Sequence, residues 1–406
     1  MRFVLAAITL LCASLVLRAQ PPAPQSATAA ATQSPATPPR PTAAPLIEFE
    51  AVKPIEPPGH PLSEADSAGV TKFSFLVYGD TRSGAVGDGT VVHPIHSAVM
   101  DTMLATIKAR QQTQYPVRFV LQTGDAVLRG ATGRMWNVSY TPIIERLTKG
   151  ADIPYFLTAG NHDVAVAPPG DAVRQLGLHN MLTAVSQLIP EEGSPRRLNG
   201  YATFAFGYGN VFVIAIDTTI AADPLQLAWV TNLLEHLDRT RFPHVFAFQH
   251  YPPFSSGPHG GAGIVEPQTL AVRTSYMPLF RRHHVALILT GHEHLLEHWV
   301  ERYTDAGREY RIDAIVTAGG GAPIYTYRGE PDLAAYLAEG AAQNVRVEHL
   351  VTPGRTIPEN PHHFIVVQVD GDRLSLEAIA AGNAPFTPYN GRSQVELTDA
   401  VTRRPE

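Results

Sequence analysis

Six side chains able to donate an electron pair to a cation share one placement in the sequence. Asp80, Asp125, Asn161, His250, His292 and His294 all stand just beyond short apolar runs. Four of those runs end in a glycine-led motif: Gly79-Asp80-Thr81-Arg82, Gly124-Asp125, Gly160-Asn161-His162-Asp163 and Gly291-His292-Glu293-His294. A fifth run, Val245 to Gln249, ends directly in His250. Carboxylate and amide oxygens mixed with imidazole nitrogens suit Mn, Fe or Zn better than a metal that seeks thiolates. Taken singly, a Gly-Asp is an ordinary turn and a lone His an ordinary packed or surface residue. The ordered set is what points to a metal site, and the glycine before each polar residue reads as the place where the chain turns sharply off its strand.

The elements that must position these residues are legible as runs of Val, Ile, Leu and Phe. Lys72 to Tyr78, Val117 to Gln122, Ile153 to Thr158, Val245 to Gln249, Val285 to Thr290 and Ile312 to Ala318 read as buried strands. Between them His96 to Arg110, Leu225 to Leu237 and Thr269 to Arg282 have helical spacing of apolar positions. Tyr201 to Phe206 with Val211 to Asp217, and His363 to Val369 with Arg373 to Ala380, read as hairpins, the second turning at Asp370-Gly371-Asp372. Hairpins mixed with β-α units imply two mixed sheets face to face with helices outside, an α/β fold in four layers, α/β/β/α. Ligand sites in open α/β folds gather beyond the carboxyl ends of strands, so five motif-bearing ends can converge on one cleft.

The motif order from Asp80 to His294 resembles the calcineurin-like metallophosphoesterase superfamily. The wording His250-Tyr251-Pro252-Pro253-Phe254-Ser255-Ser256-Gly257 is similar to its purple acid phosphatase branch. The resemblance covers about residues 72 to 325, including Ala318-Gly319-Gly320-Gly321-Ala322-Pro323. It implies a phosphoric ester hydrolase for a small-molecule phosphate ester, with two divalent or trivalent ions (Mn, Fe or Zn) and phosphomonoesters as the first choice of substrate. Asp125 would bridge the ions; Asp80 and His294 would complete one site, and Asn161, His250 and His292 the other. Coordinated water, acidified toward neutrality, would be the nucleophile, with the ions stabilising charge on phosphoryl oxygens. His162 would face the leaving oxygen as general acid or charge stabiliser. Asp163 would hold its ring in one tautomer or, more plainly, cap a helix. Two other readings stay open: a phosphodiesterase acting on nucleotides or lipid head groups, and a phosphoesterase-fold binding module without turnover.

One position departs from the resemblance. Where the first motif most often reads Asp-x-His, this chain has Asp80-Thr81-Arg82, and the tyrosine that purple acid phosphatases supply after the second motif is replaced by Leu128. A guanidinium does not ligate a cation, so the first site is short of a protein ligand. Arg82 is expected either to clamp a substrate phosphate or to pair with a nearby carboxylate. His259, in the glycine-rich stretch Ser255 to Gly263, is a further substrate candidate. His93 and His96 read as ordinary loop and helix residues, His283 and His284 as a cationic helix end, Arg196-Arg197 as a surface pair, and Asn137-Val138-Ser139 as a glycosylation sequon.

Composition bounds the rest. With 31 Lys plus Arg against 37 Asp plus Glu, the net charge of −6 excludes a nonspecific nucleic-acid coat protein. The 44% hydrophobic content excludes a wholly disordered chain, and no apolar run reaches the roughly 20 residues of a membrane span. Residues 1–19 read as a signal peptide, with Arg2 before the apolar stretch Phe3 to Leu17, which sets the expectation of export to the periplasm or outside the cell. Residues 20–70 read as a Pro/Ala/Thr-rich tether and N-terminal extension, 71–385 as the catalytic domain and 386–406 as a C-terminal tail. The sole cysteine, Cys12, lies in the signal segment.

Overall fold

Long apolar runs flanked by glycine-led polar motifs become, in the computed structural model, strands buried on both faces. Residues 50–84, 89–263 and 265–397 are described, all within one compact unit, Phe49–Glu406. The predicted signal segment, with Cys12, and most of the predicted tether lie outside them.

The strands are β1 (Lys72–Tyr78), β2 (Val117–Gln122), β3 (Tyr155–Leu157), β4 (Phe204–Tyr208), β5 (Val211–Ile216), β6 (His244–Gln249), β7 (Leu287–Thr290), β8 (Leu296–Asp305), β9 (Arg308–Thr317), β10 (Arg346–Val351), β11 (His363–Asp370), β12 (Arg373–Ala380) and β13 (Gln394–Glu396). The helices that matter for packing are α1 (Pro94–Arg110), α2 (Thr141–Thr148), α3 (Ala172–Ala184), α4 (Pro224–Glu235), α5 (Pro267–Ala271), α6 (Met277–Arg282) and α7 (Ala334–Glu339). Val272–Tyr276 joins α5 to α6 in a widened helical turn, so the predicted helix Thr269 to Arg282 is one interrupted rod. One sheet runs β13-β12-β11-β1-β2-β3 and the other β10-β8-β9-β7-β6-β5-β4. Within them β1-β2-β3 and β5-β6-β7-β9 are parallel, and the remaining pairs are antiparallel. The four-layer α/β/β/α sandwich of two mixed sheets is therefore what the chain forms.

Period-two alternation explains why the central strands are continuously apolar. In β5, Val211, Val213 and Ala215 face the other sheet, while Phe212, Ile214 and Ile216 face the outer helices. Between the sheets the contact is aromatic: Phe75 meets Phe246 at 5.8 Å, Phe156 stacks on Phe206 at 4.0 Å, and Phe119 meets Phe206 edge-on at 5.4 Å. Register then brings the strand ends abreast. Tyr78 pairs with Gln122 and Gln122 with Leu157; Ile216 pairs with Gln249 and Thr290 with Val316. All the predicted ligand motifs leave the sheets along this one edge.

Two expectations need correction and one needs extension. Ile312 to Ala318 does form a strand, but it is the end of the longer β9, paired with β8 in a hairpin that turns at Ala306 and Gly307 with φ of 46° and 78°. Its buried charges disguise it: Glu301 pairs with Arg281 at 2.9 Å, and Asp313 with His298 at 2.6 Å and with Arg311. The predicted C-terminal tail contributes β13, a three-residue edge strand too short to show a period. Residues 50–70, read with the tether, lie against the domain: Ile55 is fully buried and its N–H donates to the Ala184 carbonyl at 2.8 Å. Asn137 of the sequon ties down the same segment, accepting from the Lys53 N–H at 2.9 Å and donating to the Ala51 carbonyl at 2.9 Å.

Arg196 pairs with Glu64 and Arg197 with Glu192. His284 pairs with Asp305. In the stretch Val164 to Asn199, α3 is held to the end of β5 by a buried pair between Arg174 and Asp217. Among the described residues no helix is long and apolar enough to cross a membrane.

Candidate metal centre

At three of the predicted ligands the backbone enters the left-handed region: Asp80 (φ 57°), Asp125 (φ 54°) and His292 (φ 72°). Each such non-glycine residue costs about 1–3 kcal/mol and persists only where its surroundings over-determine it. The expected role of the glycines holds at Gly124, with φ 93°, but not at Gly79, Gly160 or Gly291, and Asp80 and His292 take the sharp turn themselves. At Gly160 and Gly291 glycine is needed for room instead. A Cβ on Gly160 would lie 2.2 Å from Asp125 Oδ1, and one on Gly291 would lie 2.4 Å from Asp80 Oδ2. The turns are locked by short bonds: the Asp80 N–H donates to the Gly124 carbonyl at 3.0 Å, the Gly291 N–H to the His250 carbonyl at 3.0 Å, and the Thr81 N–H to the Asp125 carbonyl at 2.9 Å.

The six predicted ligands form two adjoining clusters. In one, His250 Nε2 lies 2.8 Å from Asn161 Oδ1, 3.2 Å from His292 Nδ1 and 3.5 Å from Asp125 Oδ1; Asn161 Oδ1 is 3.1 Å from His292 Nδ1. The far nitrogens decide what these near atoms present. His250 Nδ1 donates to the Thr123 carbonyl at 2.8 Å, and His292 Nε2 donates to Glu266 Oε2 at 2.8 Å, so both inner nitrogens turn lone pairs inward. Burial pushes the His292 imidazole down to about 4, only partly opposed by Glu266. Asn161, His250 and His292 thus turn electron pairs toward one another, and Asp125 Oδ1, which accepts the His162 N–H at 2.9 Å, has further lone-pair capacity beside them. Their separations match the roughly 3 Å expected between neighbouring donors about 2.1 Å from one ion. This donor set fits a borderline cation of the Mn, Fe or Zn kind.

In the other cluster His294 Nε2 lies 3.4 Å from Asp80 Oδ1, and its Nδ1 donates to the Pro323 carbonyl at 2.7 Å. Asp80, Asp125 and His294 form a buried group whose donor atoms all fall within 4.8 Å of one another. Arg82 stands among them: its Nε donates to Asp125 Oδ2 at 3.3 Å and its Nη2 to His294 Nε2 at 3.5 Å. Of the two roles expected for Arg82, the structure shows the carboxylate pair. Burial raises the Asp125 carboxyl, but His250, His162 and Arg82 outweigh it and hold the group below the usual carboxylate range. Asp80 is raised, chiefly by burial. Burial and Arg82 together push His294 down to about 4.

Around the clusters the predicted residues sort clearly. His162 stands at the rim with its Nε2 3.9 Å from Asp125 Oδ2. Its Nδ1 donates to the Leu128 carbonyl at 2.9 Å, and its N–H donates to Asp125 Oδ1 at 2.9 Å. Asp163 does not hold that ring, contrary to expectation. Its carboxylate accepts the N–H groups of Ala126 at 2.9 Å, Val127 at 3.3 Å and Gly160 at 3.0 Å, which ties the second motif to the third. His259 lies at the edge, its ring 4.7 Å from that of His292 and its Nδ1 3.1 Å from Glu266 Oε1. His93 caps α1 through the His96 N–H, and His96 bonds to the Tyr78 hydroxyl at 3.1 Å.

Two participants had no signal in the sequence. Tyr325 stacks on His294 with centroids 4.1 Å apart and an 18° tilt. Glu266, a lone acid before Pro267, fixes the His292 tautomer. Carboxylates behind ligating histidines raise ligand basicity, so Glu266→Ala is expected to weaken Zn or Mn affinity by about 10–100-fold. Competition with a chromophoric chelator measures this, and unchanged affinity would leave Glu266 with a packing role alone.

Comparison with known proteins matches residues 73–296 to the family described as Calcineurin-like phosphoesterase. A probable purple acid phosphatase 20 of Arabidopsis thaliana is 28% identical over 37% of this chain and 34% of its own length. A serine/threonine-protein phosphatase CPPED1 of Danio rerio is 24% identical over 46% of this chain and 57% of its own. The chain thus spans less than two thirds of these relatives. Among solved structures, purple acid phosphatase PPD1 of Lupinus luteus superposes with a TM-score of 0.56 at 15% identity, covering 79% of this chain and 53% of that one. That likeness is one of fold.

Proposed function

Since the chain belongs to the calcineurin-like phosphoesterase family, we propose that it is a metal-dependent hydrolase of phosphoric esters, with phosphomonoesters as its substrates. The observation that carries this reading is the cluster of four facing electron-pair donors, Asn161, His250, His292 and Asp125, with the His162 ring at its rim. A cation bound there supplies Lewis-acid polarisation of a phosphoryl oxygen and acidifies a water toward neutrality. The chain's own residues do the rest. Asp125 orients the centre and balances its charge. His162, its Nδ1 committed to the Leu128 carbonyl, can offer only Nε2 to the leaving oxygen, the geometry a general acid needs. His259 and Tyr325 border the opening and would meet the substrate.

Similarity to the Arabidopsis purple acid phosphatase supports a monoester. A diester reading would have Arg82 grip the second ester, but its guanidinium is turned onto Asp125. The test is product release from an aryl phosphate and from a bis-aryl phosphate, after chelation and after Mn or Zn is restored. Metal-dependent cleavage, faster for the monoester, is expected. Cleavage of neither substrate under any metal condition would refute hydrolysis, and preference for the diester would refute the substrate class.

A further inference from the structure

The two clusters differ in one respect that bears on how many ions the centre takes. In the cluster of Asn161, His250 and His292 the far ring nitrogens donate outward, His250 Nδ1 to the Thr123 carbonyl and His292 Nε2 to Glu266, which turns the inner nitrogens' lone pairs toward one another. The cluster of Asp80, Asp125 and His294 is already supplied with protons. Arg82 Nε donates to Asp125 Oδ2, Arg82 Nη2 donates to the only free nitrogen of His294, and the His292 N–H donates to both Asp80 oxygens at 3.1 and 3.0 Å.

Nor is Arg82 a surface side chain passing by. Its side chain is 13% exposed, and its N–H donates to the Asp125 carbonyl at 3.0 Å, which pins its backbone to the strand end that carries the shared carboxylate. A guanidinium keeps its charge at any working pH and takes no lone pair from a ligand. A divalent ion there would have to displace the Arg82 N–H from the single lone pair of His294 Nε2 and then sit against a fixed positive charge. At 4 Å, a divalent ion and a unit charge repel by about 8 kcal/mol at an effective dielectric constant of 20.

Resting on the metallophosphoesterase reading, we propose that Arg82 is the resident cation of the Asp80, Asp125 and His294 cluster, and that the centre therefore runs on a single metal ion, held by Asn161, His250, His292 and Asp125. The guanidinium then provides the second positive charge facing a phosphoryl group, together with directed N–H donors, but no Lewis acid. Asp125 keeps a bridging role, between an ion and an arginine rather than between two ions.

The test is ion count, which does not depend on turnover. The full chain is stripped with a chelator, loaded with excess Mn or Zn, desalted and assayed for metal per chain. The expected values are about one ion for the unaltered protein and about two for Arg82→His, which exchanges the positive charge for a ligand. Asp80→Asn, altered only in the arginine-filled cluster, is expected to keep its one ion and guards against an Arg82→His chain that fails to fold. Two tightly held ions in the unaltered protein would overturn the proposal and leave the hydrolase reading intact, as would loss of an ion on Asp80→Asn. No bound ion at all would overturn both.

Discussion

In Asp125→Ala, bound metal and turnover are both expected to collapse, turnover by about 10³-fold, the upper scale for losing one preorganised electrostatic group. The reason is positional. One carboxylate oxygen faces His250 Nε2 at 3.5 Å and accepts the His162 N–H at 2.9 Å; the other accepts from Arg82 at 3.3 Å. Removing it opens the donor set, frees the histidine at the rim and strands a nearly buried guanidinium. Alanine also tolerates the left-handed backbone of position 125 poorly, so Asp125→Asn, with a residue type enriched in that region, serves as the companion. Circular dichroism checks folding, metal analysis checks binding and steady-state kinetics checks turnover. Near-normal hydrolysis by either folded variant would sink the assignment of the centre.

His162→Ala separates binding from chemistry. The ring is bonded to the Leu128 carbonyl and lies outside both donor clusters, so metal content should hold. Turnover of substrates with poor leaving groups should fall by roughly 10²-fold or more, the usual scale for general acid catalysis. For esters whose leaving group needs no proton, the deficit should shrink toward unity. A plot of log kcat against leaving-group pKa for the two proteins gives the answer: a steeper slope in the variant supports the role, and parallel lines refute it.

How far the sequence alone could reach is clear from particular residues. The convergence of the six predicted ligand positions was legible because each stands beyond a strand buried on both faces, and register in parallel sheets carries such ends to a common edge. Glu266 was not legible, since a carboxylate that reaches a ligand from the start of α5 leaves no spacing rule. Asp163 shows a different limit: its place in Gly160-Asn161-His162-Asp163 was plain, but only the fold reveals that it serves three backbone N–H groups and leaves the neighbouring ring alone. The β8–β9 hairpin was partly hidden because Glu301, Asp313 and His298 are charged or polar in sequence yet buried in matched pairs. Periodicity counts residue types and cannot see a partner.

The left-handed turns at Asp80, Asp125 and His292 carry an evolutionary consequence. Asparagine or glycine at Asp125 would ease the torsion and remove one of two neighbouring buried carboxylates, but at the cost of the carboxylate that the metal centre depends on. Stability and activity are opposed here at the level of single codons. A lineage released from the need to turn over substrate would drift at this position first, keeping the sandwich and its aromatic interior while the strand ends relaxed. Within such a family, Asn or Gly at the place of Asp125 would mark proteins that have kept the architecture for some purpose other than hydrolysis.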